Sequence, residues 1–154
     1  GLAFIVSWLI SQFDESIASD ALLAALMPVV ALVGGNSGAQ SLAIVIRALA
    51  RNDISEARVV EVIGKQSLIG VINGIFMAIF SFILLSLVGL NSYALSLSIA
   101  VFGNIFIGNL FGSSIPLILR NLGFDPALAS NIFLTLITDI VGFAGFLGIA
   151  LLLI

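Results

Sequence analysis

Asp139 lies well inside an apolar segment, whereas every other acid in the chain lies at the edge of such a segment or in a polar connection. If residues 126–154 form one helix, Asp139 is roughly 20 Å from its start, near the middle of a bilayer core about 30 Å thick. A carboxylate at that depth costs at least about 2.5 kcal/mol, so it usually faces a bundle interior or a water-filled path. The chemistry that this position favours is the binding of a cation.

Polar and small residues share the helical face of Asp139, because they lie three or four positions apart. They are Asn131, Thr135, Thr138 and Gly142. Oxygen atoms along such a stripe could replace part of a cation's hydration shell, and the negative charge would attract the cation. The alternative is a structural acid paired with a buried arginine, but no apolar segment carries a basic residue at comparable depth. The pattern favours an ion path with Asp139 as its metal ligand.

A second polar cluster lies in residues 33–41, with the sequence Val-Gly-Gly-Asn-Ser-Gly-Ala-Gln-Ser. Its amides could line the same path, or they could hydrogen-bond between helices. The glycines favour the path slightly, because they admit close approach or local unwinding, and freed carbonyls could then face an ion. We therefore predict four secondary pore-lining residues: Asn36, Gln40, Thr135 and Thr138.

Two further amides, Asn104 and Asn109, lie in a later apolar segment. Glycines surround them, and no charged residue lies near. Both are more typical of hydrogen bonds between helices than of an ion path.

The composition is that of an integral membrane protein. The chain has 154 residues, of which 61% are hydrophobic and 8% charged, and its mean hydropathy is +1.31. It has no cysteine or histidine, so a metal would be held by oxygen ligands, which suit Mg²⁺, Ca²⁺ or Mn²⁺. The sequence has no nucleotide-binding loop, catalytic triad, acid–base carboxylate pair or nucleic-acid patch, so we expect neither an enzyme nor a nucleic-acid partner.

The apolar segments predict an all-α membrane helix bundle with about five transmembrane helices per chain. We expect Pro28 and the glycines of residues 33–41 to break the second helix. The most charged stretch, residues 52–65, predicts a short amphipathic helix on the membrane surface. The predicted spans are residues 1–12, as the back half of a first helix, 21–50, 66–90, 93–119 and 127–154.

The basic residues predict the orientation. They follow the second and fourth spans, and the positive-inside rule places these connections in the cytoplasm of a multi-pass plasma-membrane protein. They are Arg47, Arg51, Arg58, Lys65 and Arg120. An acidic connection with Asp14, Glu15 and Asp20 would then lie outside. It could concentrate cations at an entrance, or it could be ordinary solvated loop charge.

Three motifs together resemble the MgtE-type magnesium channels and transporters. They are residues 33–41 followed by 47–50, residues 119–130, and residues 138–142. Their order, spacing and five-helix layout match that family across nearly the whole chain. The resemblance implies a homodimer in membrane lipid, with a cation pore at its two-fold axis and Asp139 binding Mg²⁺ near mid-membrane. The helices that carry residues 33–41 and Asp139 would line that pore.

The resemblance also implies a domain assignment. Residues 1–154 would be an MgtE-like transmembrane pore domain, with a truncated first helix and without the cytosolic regulatory domains of the family. The sequence departs from the family at Ile132, where proline is common, and at Leu136, where a second threonine is common. Both positions lie on the approach to Asp139.

These observations predict a channel or transporter that passes Mg²⁺ inward down its electrochemical gradient. One alternative is a proton- or sodium-coupled divalent cation carrier. Another is a non-transporting membrane scaffold whose glycines only pack helices. Ligand type alone leaves Mn²⁺, Co²⁺ or Ca²⁺ open as the ion.

Overall fold

The computed structural model describes residues 1–14, 17, 21–55 and 58–153, and these contain five α-helices and no strand. Four helices are 28 to 31 residues long and apolar enough to cross a membrane, and the first has ten residues. The predicted all-α bundle is confirmed. Two acids of the predicted acidic connection, Glu15 and Asp20, lie outside the described residues. The helices are α1 (Leu2–Ser11), α2 (Ala21–Ala50), α3 (Val59–Leu87), α4 (Asn91–Asn121) and α5 (Pro126–Leu153).

Two predictions about helix boundaries are wrong. The helix α2 is continuous, with Pro28 inside it, because an unwound turn in lipid would leave backbone polar groups without water. Residues 59–65 form about the first two turns of α3 instead of a separate surface helix. The charges there stay at an exposed helix end, where Glu61 pairs with Arg58 at 3.3 Å and with Lys65 at 2.6 Å.

Three of the long helices end in the same way. A residue in the left-handed region follows each of them: Asn52 with φ 57°, Gly89 with φ 81° and Gly123 with φ 79°. In each case the next amide donates to the carbonyl five positions back, at 3.0, 2.8 and 2.9 Å. These bonds satisfy carbonyls that the helix leaves free and turn the chain back toward the bundle.

The helix α4 is central, because it packs against α2, α3 and α5. Four glycines form its contact with α2, and we call them the glycine seam: Gly34 and Gly38 on α2, Gly108 and Gly112 on α4. A Cβ atom on Gly38 would lie 2.7 Å from the Gly108 carbonyl oxygen, and one on Gly112 would collide with the Gly38 carbonyl. Only residues without side chains allow the two backbones to approach this closely.

Two amides of α4 hold α2 in register. Asn104 donates from Nδ2 to the Val30 carbonyl at 2.9 Å. Asn109 donates from Nδ2 to Ser37 Oγ at 2.6 Å, and the backbone carbonyl of Asn109 accepts from Ser41 Oγ at 3.1 Å. These bonds confirm the predicted role of both asparagines as interhelical contacts.

The two basic connections lie at the same end of the bundle. Arg120, near the end of α4, donates from Nη1 to the carbonyl of Ile54 in the α2–α3 connection, at 3.3 Å. This arrangement agrees with the orientation predicted from the charges, which requires both connections on one side of the membrane.

Gly112→Ala should destabilise the bundle by about 1–3 kcal/mol, the usual result of overpacking a close contact. Gly103→Ala is the matched control, because the same change on α4 meets no atom within 4 Å, so stability should stay equal or rise slightly. Thermal unfolding in detergent, followed by circular dichroism, measures both variants. Equal unfolding temperatures would contradict the close contact of α2 with α4.

Candidate functional site

The polar face of α5 divides into two rows. Asn131, Thr135 and Asp139 lie four residues apart; the first two are exposed and Asp139 is half-buried. We call these three residues the polar row. Thr138 and Gly142 are buried instead and pack against neighbouring helices. One row therefore packs α5 into the bundle, and the other borders open space.

The polar row borders an open groove between α5 and α2, with a volume of about 520 Å³. On the α2 side the groove is lined by the small residues Ala31, Gly35 and Ala39 and by Asn36, together with Pro28 and Leu32. Gly35 faces α5 directly, because a Cβ atom there would lie 3.6 Å from Thr138 Oγ1. Small side chains on α2 thus leave room beside Asp139.

A second groove, of about 500 Å³, borders the same row on the side of α1. Ser7 of α1 lines it together with Ile132 and Leu136, the two positions that depart from the family pattern. Neither departure lines the α2–α5 groove. Both residues therefore border the groove toward α1 and lie outside the wall shared with α2.

The carboxylate of Asp139 has no hydrogen bond and no ion pair within the described part of the chain. The alternative of a structural acid paired with a buried arginine therefore has no support there. Among the described residues, no three acidic, histidine or cysteine side chains lie close enough to hold a metal together. One chain brings a single carboxylate to this site, and any further ligand is neutral or comes from outside these residues.

The secondary predicted residues separate into two places. Asn36 and Thr135 line the α2–α5 groove with Asp139. Thr138 lies in the same wall, but it is fully buried and its hydroxyl donates to two carbonyls of its own helix, at 3.1 and 3.2 Å. Gln40 lies elsewhere, in a groove between α2 and α3 that Asn36 also borders.

Sequence reasoning left two residues out of the predicted site. Asn131, which the sequence places on the helical face of Asp139 but outside the pore-lining set, lies in the polar row and lines both grooves beside Asp139. Asn73 is exposed on α3 and faces the groove that contains Gln40. The signal at Asn73 was a single amide in the centre of a long apolar segment.

A sequence profile of the MgtE family, described as a divalent cation transporter, matches residues 27–149. The magnesium transporter MgtE of Bacillus subtilis is 34% identical over 158 residues, which cover 97% of this chain and 33% of that protein. The magnesium transporter MgtE of Enterococcus faecalis is 32% identical over 92% of this chain and 32% of its own length. The magnesium transporter MgtE of Thermus thermophilus is 32% identical over 97% of this chain and 33% of its own length. The chain spans about a third of the length of these curated relatives.

Asp139→Asn should raise thermal stability in Mg²⁺-free detergent, because it removes an unpaired charge from the middle of α5 and keeps the side-chain shape. The gain should stay below the roughly 2.5–3.5 kcal/mol that a charge at a helix centre costs on insertion. Asp125→Asn is the matched control: its Oδ1 caps α5 by accepting from the Ala127 amide at 2.9 Å, and asparagine caps equally well. A loss of stability in Asp139→Asn alone would show that Asp139 serves the fold.

Proposed function

The chain belongs to the MgtE family and is a multi-pass membrane protein, and on that premise we propose that it forms a pore that passes Mg²⁺ inward down its electrochemical gradient. The observation that carries this proposal is the half-buried carboxylate of Asp139, without a partner in the described chain, beside an open groove at the middle of α5. Such a charge is stabilised by a cation in the groove. The relatives are named as magnesium transporters, which supports Mg²⁺ as that cation.

The groove is large enough for Mg²⁺ that keeps its water. Mg²⁺ takes six ligands and dehydrates reluctantly, and six waters at about 30 Å³ each fill about 180 Å³. The groove between α2 and α5 measures about 520 Å³. The ion would pass largely hydrated, with its waters contacting the polar row and the carboxylate balancing part of its charge.

A second copy of the chain would complete the site. One chain supplies one carboxylate, and the groove beside it is open on the protein surface. A homodimer about a two-fold axis presents the same surface twice, so two copies of Asp139 would balance one divalent cation. We propose that α2 and α5 of both copies line this pore.

We propose the same role for the chain as a whole. Residues 1–154 would act as the transmembrane pore domain of a family member in the plasma membrane. The two basic connections, joined by the contact of Arg120 with Ile54, would face the cytoplasm.

Mg²⁺ uptake into liposomes that contain the protein tests this function, with equal pH and equal Na⁺ on both sides of the membrane. Parent liposomes should take up Mg²⁺. Asp139→Asn and Asp139→Ala should reduce the rate at least about tenfold, the result of losing 1.4 kcal/mol of interaction with the ion. Asp125→Asn, which removes a charge outside the groove, should keep the parent rate.

Other outcomes would contradict the proposal. Uptake that begins only when a proton or Na⁺ gradient is imposed would indicate a coupled carrier. Uptake that both Asp139 variants retain would exclude Asp139 as the ion site, and a folded parent without flux under any gradient would indicate a scaffold. The same assay with Mn²⁺, Co²⁺ and Ca²⁺ measures selectivity.

A further inference from the structure

A further polar groove, of about 480 Å³, lies between α2 and α3. It has polar side chains from both helices and apolar walls, but no acid or base lines it. The polar residues are Asn36, Ser37, Gln40 and Asn73, and the apolar ones are Val33, Phe76, Met77 and Ile105.

The amides of this groove lie at the depth of Asp139. Asn73 is the middle residue of α3, Asn36 lies at the middle of α2, and Asp139 lies at the middle of α5. If these helices cross the bilayer, all three side chains are near its midplane, where the lipid tails supply no hydrogen-bonding partners.

Three carboxamides in this groove have no hydrogen bond within the described part of the chain: Asn36, Gln40 and Asn73. All three are exposed. Each carries two donor hydrogens and an acceptor oxygen, and lipid tails can satisfy neither, so exposure to lipid would cost free energy. A polar occupant must therefore fill the groove.

Water is the occupant that the surroundings favour. Asn36 borders this groove and also the α2–α5 groove that contains Asp139, so the two spaces share a wall residue. A polar helix is a less suitable occupant than water. The exposed neighbours of Asn73 on α3, such as Ile72 and Ile75, are apolar and could form no further hydrogen bonds with such a helix. Water that enters beside Asp139 would meet these amides next.

We propose that the α2–α3 groove holds water and is a second, outer-sphere site for a hydrated divalent cation, with Asn73 as its defining residue. The identity of the ion rests on the proposed function. An ion with six waters fills about 180 Å³ and fits the groove of about 480 Å³. Neutral amides would bind its water shell and leave the shell intact, so the site would hold the ion more weakly than Asp139 and release it readily.

Substituted cysteines test the water, because the chain contains no cysteine of its own. Asn73→Cys in liposomes should react with a charged, water-soluble methanethiosulfonate reagent, with modification followed by intact mass. Ile72→Cys is the matched control: it is the adjacent residue, 48% exposed, and does not line the groove. Asn73→Cys should react at least about tenfold faster than Ile72→Cys. The reactive species is the thiolate, and each unit by which apolar surroundings raise the pKa of a cysteine reduces its thiolate fraction about tenfold.

The second part of the test concerns the ion. Mg²⁺ at the same ionic strength as a Na⁺ control should slow the modification of Met77→Cys, which lines the groove and keeps Asn36, Gln40 and Asn73, because a bound cation excludes and repels the positively charged reagent. The rate at Ile72→Cys should not change. Gln40→Cys, with Ile44→Cys as its control on α2, repeats the test of water access if Asn73→Cys does not fold.

The outcomes separate this inference from the proposed function. Equal, slow modification of Asn73→Cys and Ile72→Cys would overturn the water-filled groove and would point to a protein or lipid occupant. Modification of Met77→Cys that Mg²⁺ does not slow would overturn the cation site. In either case, Mg²⁺ uptake that still depends on Asp139 would leave the proposed function standing, whereas loss of that dependence would overturn both.

Discussion

Backbone contact between α2 and α4 at the glycine seam is the constraint on which the arrangement of polar residues depends. Lipid tails are as apolar as leucine, so helices in a membrane associate through close packing and hydrogen bonds. The seam provides the packing, and the bonds of Asn109 with Ser37 and Ser41 fix the rotation of α2. That rotation buries one set of polar side chains and leaves Asn36 and Gln40 facing the grooves.

The position of Asp139 follows from the packing of α5 against α2 and α4. Gly142 packs so closely that a Cβ atom there would lie 2.7 Å from Asn104 Nδ2, and Gly35 lies beside Thr138. With this row of α5 buried, the adjacent row turns outward and Asp139 borders the groove with α2. An unpaired carboxylate at a helix centre lowers the stability of the bundle. Such a local loss of stability is typical of functional sites.

The helices and the candidate ligand could be predicted from the sequence, because long apolar segments and a charge inside one are strong signals. The division of the polar face of α5 could not, since a spacing of three or four places Thr138 and Asp139 together, and the packing of α5 against α2 and α4 decides which is buried. For the same reason Gln40 could not be assigned to its groove. The continuity of α2 was missed because proline and glycine break helices in water, whereas lipid requires the backbone to stay paired.

Anomalous X-ray scattering from crystals of the protein soaked in Mn²⁺ tests the central claim most directly, because Mn²⁺ takes the same oxygen ligands as Mg²⁺ and can be located by its own signal. We expect the strongest peak at mid-membrane, on a two-fold axis between the Asp139 carboxylates of two copies, and any peak in the α2–α3 groove to be weaker. The absence of a peak at Asp139, or an Asp139 carboxylate that contacts only protein while Mn²⁺ binds elsewhere, would contradict the account.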